Sequence, residues 1–187
     1  MGKESMIRRL EQTLKPNRFI HSLGVRDESV KMARIFGADE EKAYIAGLLH
    51  DCAKRAQRSD EQELCKRLGY IPDNATAMCP PVLHAPLGAV VAEREYGVTD
   101  KEILDAIRYH TVARRGMTLL DKIVYVADMT EPGRDFDGVA PLRALAHEDI
   151  DKAFCEALRR SLIYNIDKGA VIHPNTLEAW NEIHENH

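Results

Sequence analysis

No stretch of this sequence approaches the roughly 18 consecutive apolar residues needed to cross a bilayer, so no membrane partner is expected. The opening segment MGKESMIRRLEQTLK has neither an uninterrupted apolar run nor a small-residue cleavage site, which argues against a secretory signal. An excess of positive charge is missing too. Lys plus Arg number 26 against 30 Asp plus Glu, a formal charge of −4, and nucleic acid is not a partner such a composition suggests. An anionic substrate would therefore need a local cluster of cations. The four cysteines (Cys52, Cys65, Cys79 and Cys155) form no Cys-x-x-Cys pair, which excludes a zinc ribbon. They read as small buried hydrophobes, reduced thiols of a cytoplasmic protein. Repeats, low-complexity tracts and linkers are also absent. With 187 residues, 44% of them hydrophobic, the chain is expected to form a single domain over 1–187.

Long runs of strict apolar/polar alternation are lacking, and what recurs instead is helix punctuation. The amphipathic run from Asn17 to Phe36 is followed by Gly37, placed as a helix-ending glycine. Asp39 is expected to be an N-cap with Glu40 and Glu41 in the first turn. Ser59-x-x-Gln62 and Thr99-x-x-Glu102 have the form of capping boxes, and Asn175-x-x-Glu178 is related. Gly69 and Gly97 mark two further helix ends, and Pro86 suits a first turn. Ile103, Ile107 and His110 share one helical face, as do Ile123, Ala127, Val124 and Asp128. These signs predict an all-α fold, a bundle of about eight to ten helices. The segments 71–86 and 130–141 are expected to be the longest connections, the second the more functional because it follows Asp128.

The run AYIAGLLHDCAK is a buried-looking helix that ends in His50 and Asp51. Adjacent ionisable groups on such a helix need a partner, and a divalent metal is one. Two ligands hold a metal poorly, so others are expected. His21 lies in the amphipathic FIHSLGV, and Asp128 lies in the otherwise apolar IVYVADM, where an unpaired carboxylate is costly. His21, His50, Asp51 and Asp128 make a two-His, two-carboxylate set with room for water and substrate oxygens. His84 and His110 fall between them in the chain. An imidazole there can contact a phosphoryl oxygen, protonate a leaving group, or complete a second metal site.

The ordered set His21, His50-Asp51, His84, His110, Asp128 resembles the HD-domain superfamily of metal phosphohydrolases. The words RFIHSLGV, GLLHDCAK, LHAPLGA, IRYHT and DKIVYVADMTEPGRDF resemble its branch of symmetrical bis(5′-nucleosyl)-tetraphosphate hydrolases. The resemblance runs from Arg18 through the C-terminal helices. It implies an HD-type helical bundle, with a core at about 18–130 and C-terminal helices at about 149–187 packing on it. It also implies an iron-type centre and cleavage of diadenosine tetraphosphate into two ADP. By the same resemblance His21, His50, Asp51 and Asp128 hold the metal. Arg18, Lys54, His84, His110 and Arg134 surround the phosphates, together with the metal residues His21, Asp51 and Asp128. Lys54, three residues after Asp51, is close enough for that role, and Arg134 can clamp phosphate bidentately.

The reaction expected is attack by a metal-activated water, with Asp51 orienting it, Lys54 and Arg134 offsetting phosphoryl charge, and His84 or His110 supporting the leaving ADP. Iron, manganese and zinc all suit such ligands. The rival enzyme is another HD phosphohydrolase, acting on nucleoside mono- or triphosphates or cyclic dinucleotides. The rival from another class is a non-catalytic nucleotide sensor. Arg114-Arg115 reads as a solvated loop pair. His173, His184 and His187 read as surface or tail residues, and Trp180 on the last helix is a candidate anchor for a homodimer.

Overall fold

A computed structural model describes residues 1–55 and 57–185, so His187 lies outside the described residues. Among these there are eleven α-helices and no strand. The all-α expectation holds, with one helix more than its upper bound. The extra element lies in the segment expected to be a connection. Residues 71–86 contain a short helix Asn74–Met78, capped by the Asp73 side chain, and a 3-10 turn Pro80–Val82.

The first two helices are α1 (Lys3–Thr13) and α2 (Pro16–Phe36). Pro16 occupies the first turn of α2, where its missing N–H is no loss, and Gly37 ends the helix with φ of 75°. Then α3 (Glu40–Leu49) starts at Asp39, whose carboxylate accepts from the Glu41 and Lys42 amides. The short α4 (Arg58–Leu68) and α5 (Asn74–Met78) precede α6 (His84–Tyr96) and α7 (Lys101–Tyr109). The remaining helices are α8 (Leu119–Thr130), α9 (Val139–Glu148), α10 (Ile150–Asp167) and α11 (Pro174–His184).

Several caps sit beside the residues first singled out. Helix α4 begins at Gln57, boxed with Asp60, and not at Ser59. Asp100, one residue after Thr99, caps α7. His173 caps α11 by accepting from the Asn175 amide, displacing Asn175 from that role. In each case a neighbouring acceptor wins because its backbone is the last to be extended before the helix. A box absent from the sequence expectations, Thr118 with Asp121, starts α8.

Helix α2 is the organising element, packing on α3 and on α8, while α7 touches α3, α6 and α8. Helix α10 lies against α8 and α9, and α11 against α10. The core holds fully buried Val25, Met32, Leu48, Leu49, Leu87, Ile107, Ile123 and Leu158. Gly47 sets the closest approach. A Cβ there would stand 2.9 Å from the Arg26 Cα and 2.8 Å from the Ser29 Oγ, so α2 and α3 meet nearly backbone to backbone. This contact lies just ahead of His50 and draws the two helices that carry His21 and His50 together.

Candidate metal centre and phosphate site

His21 projects from the second turn of α2, His50 caps the C-terminal end of α3, Asp51 follows in the turn, and Asp128 sits in the last turns of α8. Their donor atoms converge. His21 Nε2 is 3.3 Å from His50 Nε2 and 2.9 Å from an Asp128 oxygen. His50 Nε2 is 3.5 Å from an Asp51 oxygen and 3.9 Å from Asp128. Atoms bound to one cation at roughly 2.1 Å and at right angles would lie about 3 Å apart, so the donor set fits a metal. The four are not a closed quartet. His21–His50–Asp51, His50–His110–Asp128 and Asp51–His84–His110 each bring one donor per residue within 4.8 Å of one another. Asp51 is shared between the first and third groups. All six side chains therefore form one continuous cluster that could hold one cation or two.

Ring orientation explains how the cluster is presented. His50 Nδ1 donates to the Gly47 carbonyl at 2.8 Å, and His110 Nδ1 to the Ile107 carbonyl at 2.7 Å. Both residues cap helix C-terminal ends, where carbonyls three residues back lack their usual partner. The proton on Nδ1 leaves the Nε2 lone pair facing the centre. His84 Nδ1 lies 3.0 Å from the Pro81 carbonyl and 2.9 Å from Lys54 Nζ, and its Nε2 faces Asp51 at 3.2 Å. His21 is the exception, because it lies within α2. Its Nδ1 is 3.1 Å from Glu131 Oε1, a buried carboxylate that the sequence expectations passed over. Only its place one turn past Asp128 in a loop marked as functional could have drawn attention to it.

The electrostatics agree with a cation site. Burial pushes the Asp51 carboxyl up, but the charge of His50 and hydrogen bonds with His110 and His50 outweigh it and hold it well below the usual carboxylate range. Asp128 is likewise held low against burial by the His21 hydrogen bond and by His50 and Arg134. Burial disfavours a charged His50, yet Asp51 and Asp128 raise it above the ordinary histidine value. The field that draws a proton onto His50 would also draw a metal. Burial lowers His84 to about 3, so its ring is neutral near pH 7. A neutral ring can act as a ligand or as a hydrogen-bond acceptor.

Cations rim the cluster. Arg18 Nη1 is 2.8 Å from Asp51, and Arg134 donates from Nε to the Asp128 carbonyl at 2.6 Å while a second nitrogen pairs with the Asp128 carboxylate. Lys54 lies outside a helix, in the turn after Asp51, half-buried. A cleft of about 980 Å³ opens from Asp128 and His110 between Tyr125, Phe136, Arg160 and Tyr164. A second, of about 440 Å³, lies between Lys15, Arg18, His21 and Arg134.

Three other expectations change. Arg114 is not a solvated residue: it pairs with buried Asp121 at 2.9 Å and with Asp105, while Arg115 pairs with Glu185. His173 is buried as the α11 cap. Trp180, expected on an exposed face of the last helix, is half-buried against the protein's own core and beside His184. Cys52, Cys65 and Cys79 are buried, and all four thiols are free.

Residues 18–133 match the HD domain family. The chain is 39% identical over 181 residues to a protein of Bacillus subtilis named bis(5′-nucleosyl)-tetraphosphatase, symmetrical, covering 97% of each. A protein of the same name from Staphylococcus aureus is 32% identical over 97% of this chain and 94% of its own. Among solved structures, a Clostridium acetobutylicum protein described as a predicted HD superfamily hydrolase involved in NAD metabolism superposes with a TM-score of 0.93. It is 39% identical and is matched over 99% of its chain. With these relatives and this donor set, the chain belongs to the HD-domain family, in the branch of the symmetrical bis(5′-nucleosyl)-tetraphosphatases.

Proposed function

We propose that this protein is a metal-dependent phosphohydrolase that cleaves diadenosine tetraphosphate symmetrically into two ADP. The observation that carries the chemistry is the convergence of His21, His50, Asp51 and Asp128 donor atoms beneath a rim of Arg18, Lys54 and Arg134. The near full-length likeness to symmetrical tetraphosphatases carries the substrate.

The roles follow from position. His21, His50, Asp51 and Asp128 are the metal ligands. His84 and His110, which share Asp51 with that set, line the site and are placed for a second cation. A cation held there supplies an acidified water and a counter-charge for phosphoryl oxygens. Iron is the metal the family resemblance favours, and the same nitrogen and oxygen donors accept manganese or zinc. Arg134 offers a planar fork to two phosphate oxygens, and Arg18 and Lys54 approach the same chain from the other side of Asp51. Water adds to one inner phosphorus as the central bridging P–O bond breaks, so one ADP leaves and the other carries the new oxygen. The cleft between Phe136 and Tyr164 is large enough for a nucleoside and offers aromatic faces to it. The C-terminal helices α10 and α11 carry no ligand and work with the ligand-bearing helices as one domain. Free buried thiols fit a reducing cytoplasm.

Product analysis tests the assignment. Metal-loaded protein incubated with diadenosine tetraphosphate should give ADP as the only nucleotide product. ATP with AMP would refute symmetrical cleavage, and turnover unaffected by chelation would refute the metal role.

A further inference from the structure

We infer that Glu131 is a positioning residue for the metal site: it orients His21 so that the Nε2 lone pair faces the cation, and the fold builds a dedicated seat for its carboxylate. This rests on the metal-centre reading and adds a residue outside the ligand set.

The inference comes from the way the four clustered histidines are oriented. His50, His84 and His110 each have a backbone carbonyl three residues earlier in reach of Nδ1. They can, because they lie at helix ends or beside a 3-10 turn. His21 lies inside α2, where the carbonyls one turn back already accept helical N–H groups. It needs an acceptor from elsewhere, and Glu131 Oε1 supplies one at 3.1 Å.

The carboxylate is held on every side. Its Oε2 accepts from the Gly133 amide at 2.6 Å. Gly24, one turn after His21 on α2, leaves the space it occupies: a Cβ there would stand 2.5 Å from Oε2. A Cβ on Gly133 would stand 3.0 Å from both oxygens. Arg143 of α9 fixes the loop behind it, donating to the Thr130 carbonyl at 2.7 Å, the Glu131 carbonyl at 2.8 Å and the Arg134 carbonyl at 2.5 Å. The two oxygens of Glu131 thus face two different N–H donors, a task only a carboxylate performs. Glutamine has one acceptor oxygen. With it, either the Gly133 amide or His21 Nδ1 meets an NH₂ group, and in the second case the His21 proton is driven to Nε2, where it blocks the metal.

The test is Mn²⁺ affinity, measured by calorimetric titration of the metal-stripped full chain without substrate. Glu131→Gln and Gly24→Ala should each weaken Mn²⁺ binding by about 10–100-fold, with the stoichiometry unchanged and activity recovering as Mn²⁺ is raised. A purely structural role would instead lower the number of competent sites and leave the dissociation constant of the folded protein as in the wild type, and that result overturns the inference. Gly24→Ala displaces the carboxylate without altering its charge, so the test stands if Glu131→Gln folds poorly. Wild-type affinity in both variants overturns the positioning role alone. Absence of Mn²⁺ binding by the wild type overturns the metal centre with it.

Discussion

Arg134 holds both the backbone carbonyl and the carboxylate of Asp128, which places its guanidinium at the mouth of the His/Asp cluster. Replacing it with Ala should lower kcat/KM for diadenosine tetraphosphate by about 10²–10³-fold, the range expected for losing one donor to developing phosphoryl charge. Arg134→Lys should recover little, since an ammonium cannot present two parallel N–H groups. Steady-state kinetics at saturating metal decide it, and wild-type kcat/KM in the Ala variant would remove Arg134 from the phosphate site. At this scale the six residues of the cluster were legible in the sequence, because ionisable groups set in apolar helical segments demand partners. Glu131 was not. Its significance depends on a contact with a residue 110 positions away and on two glycines that leave room for it. Lys54 was placed only by its spacing from Asp51, and the chain, leaving the helix at His50, puts it beside His84.

The clustered His and Asp side chains are brought together by how the helices meet, and Gly47 is the tightest of those meetings. Gly47→Ala drives a methyl into the Arg26 Cα and the Val25 carbonyl, which are backbone and cannot step aside. Overpacking of this kind costs about 1–3 kcal/mol. Separating α2 from α3 also moves His21 from His50, now 3.3 Å apart at their Nε2 atoms. The variant should therefore lose thermal stability and metal affinity together, read by melting curves with and without metal. An unchanged melting temperature would show that the interface yields without strain. Element by element, helices announced by strong caps and glycine stops, such as α2 and α3, were placed well from sequence. The cap of α11 was not, because a histidine side chain does the work usually given to Asn or Ser. Nor was the turn after α7, where Ala113 takes a φ of 59° with no glycine to signal it.

Viewed whole, the molecule gathers its candidate ligands from the α2 interior, the ends of α3 and α7, the start of α6 and the last turns of α8. A cation there ties together segments that lie far apart in the chain, so binding should stabilise the fold by mass action. At a free metal concentration 100 times the dissociation constant the gain is about 2.7 kcal/mol. For a chain of this length each kcal/mol moves the melting temperature by about 2–4 °C, so adding metal to stripped protein should raise it by about 5–11 °C. Stripping should not unfold the chain, because the core is large and because Arg18 and Arg134 already lie against Asp51 and Asp128. Without metal, these arginines offset the carboxylate charge that a cation would otherwise balance. When a cation binds, that duty passes to it, and both guanidiniums become available to phosphate. The stabilisation measured without substrate should therefore be smaller than that measured with ADP present, since nucleotide and metal then satisfy the carboxylates and the arginines together. Melting curves of stripped protein, protein with Mn²⁺, and protein with Mn²⁺ and ADP give the three values. A melting temperature with both ligands no higher than with Mn²⁺ alone would exclude this coupling between the metal and the arginine rim.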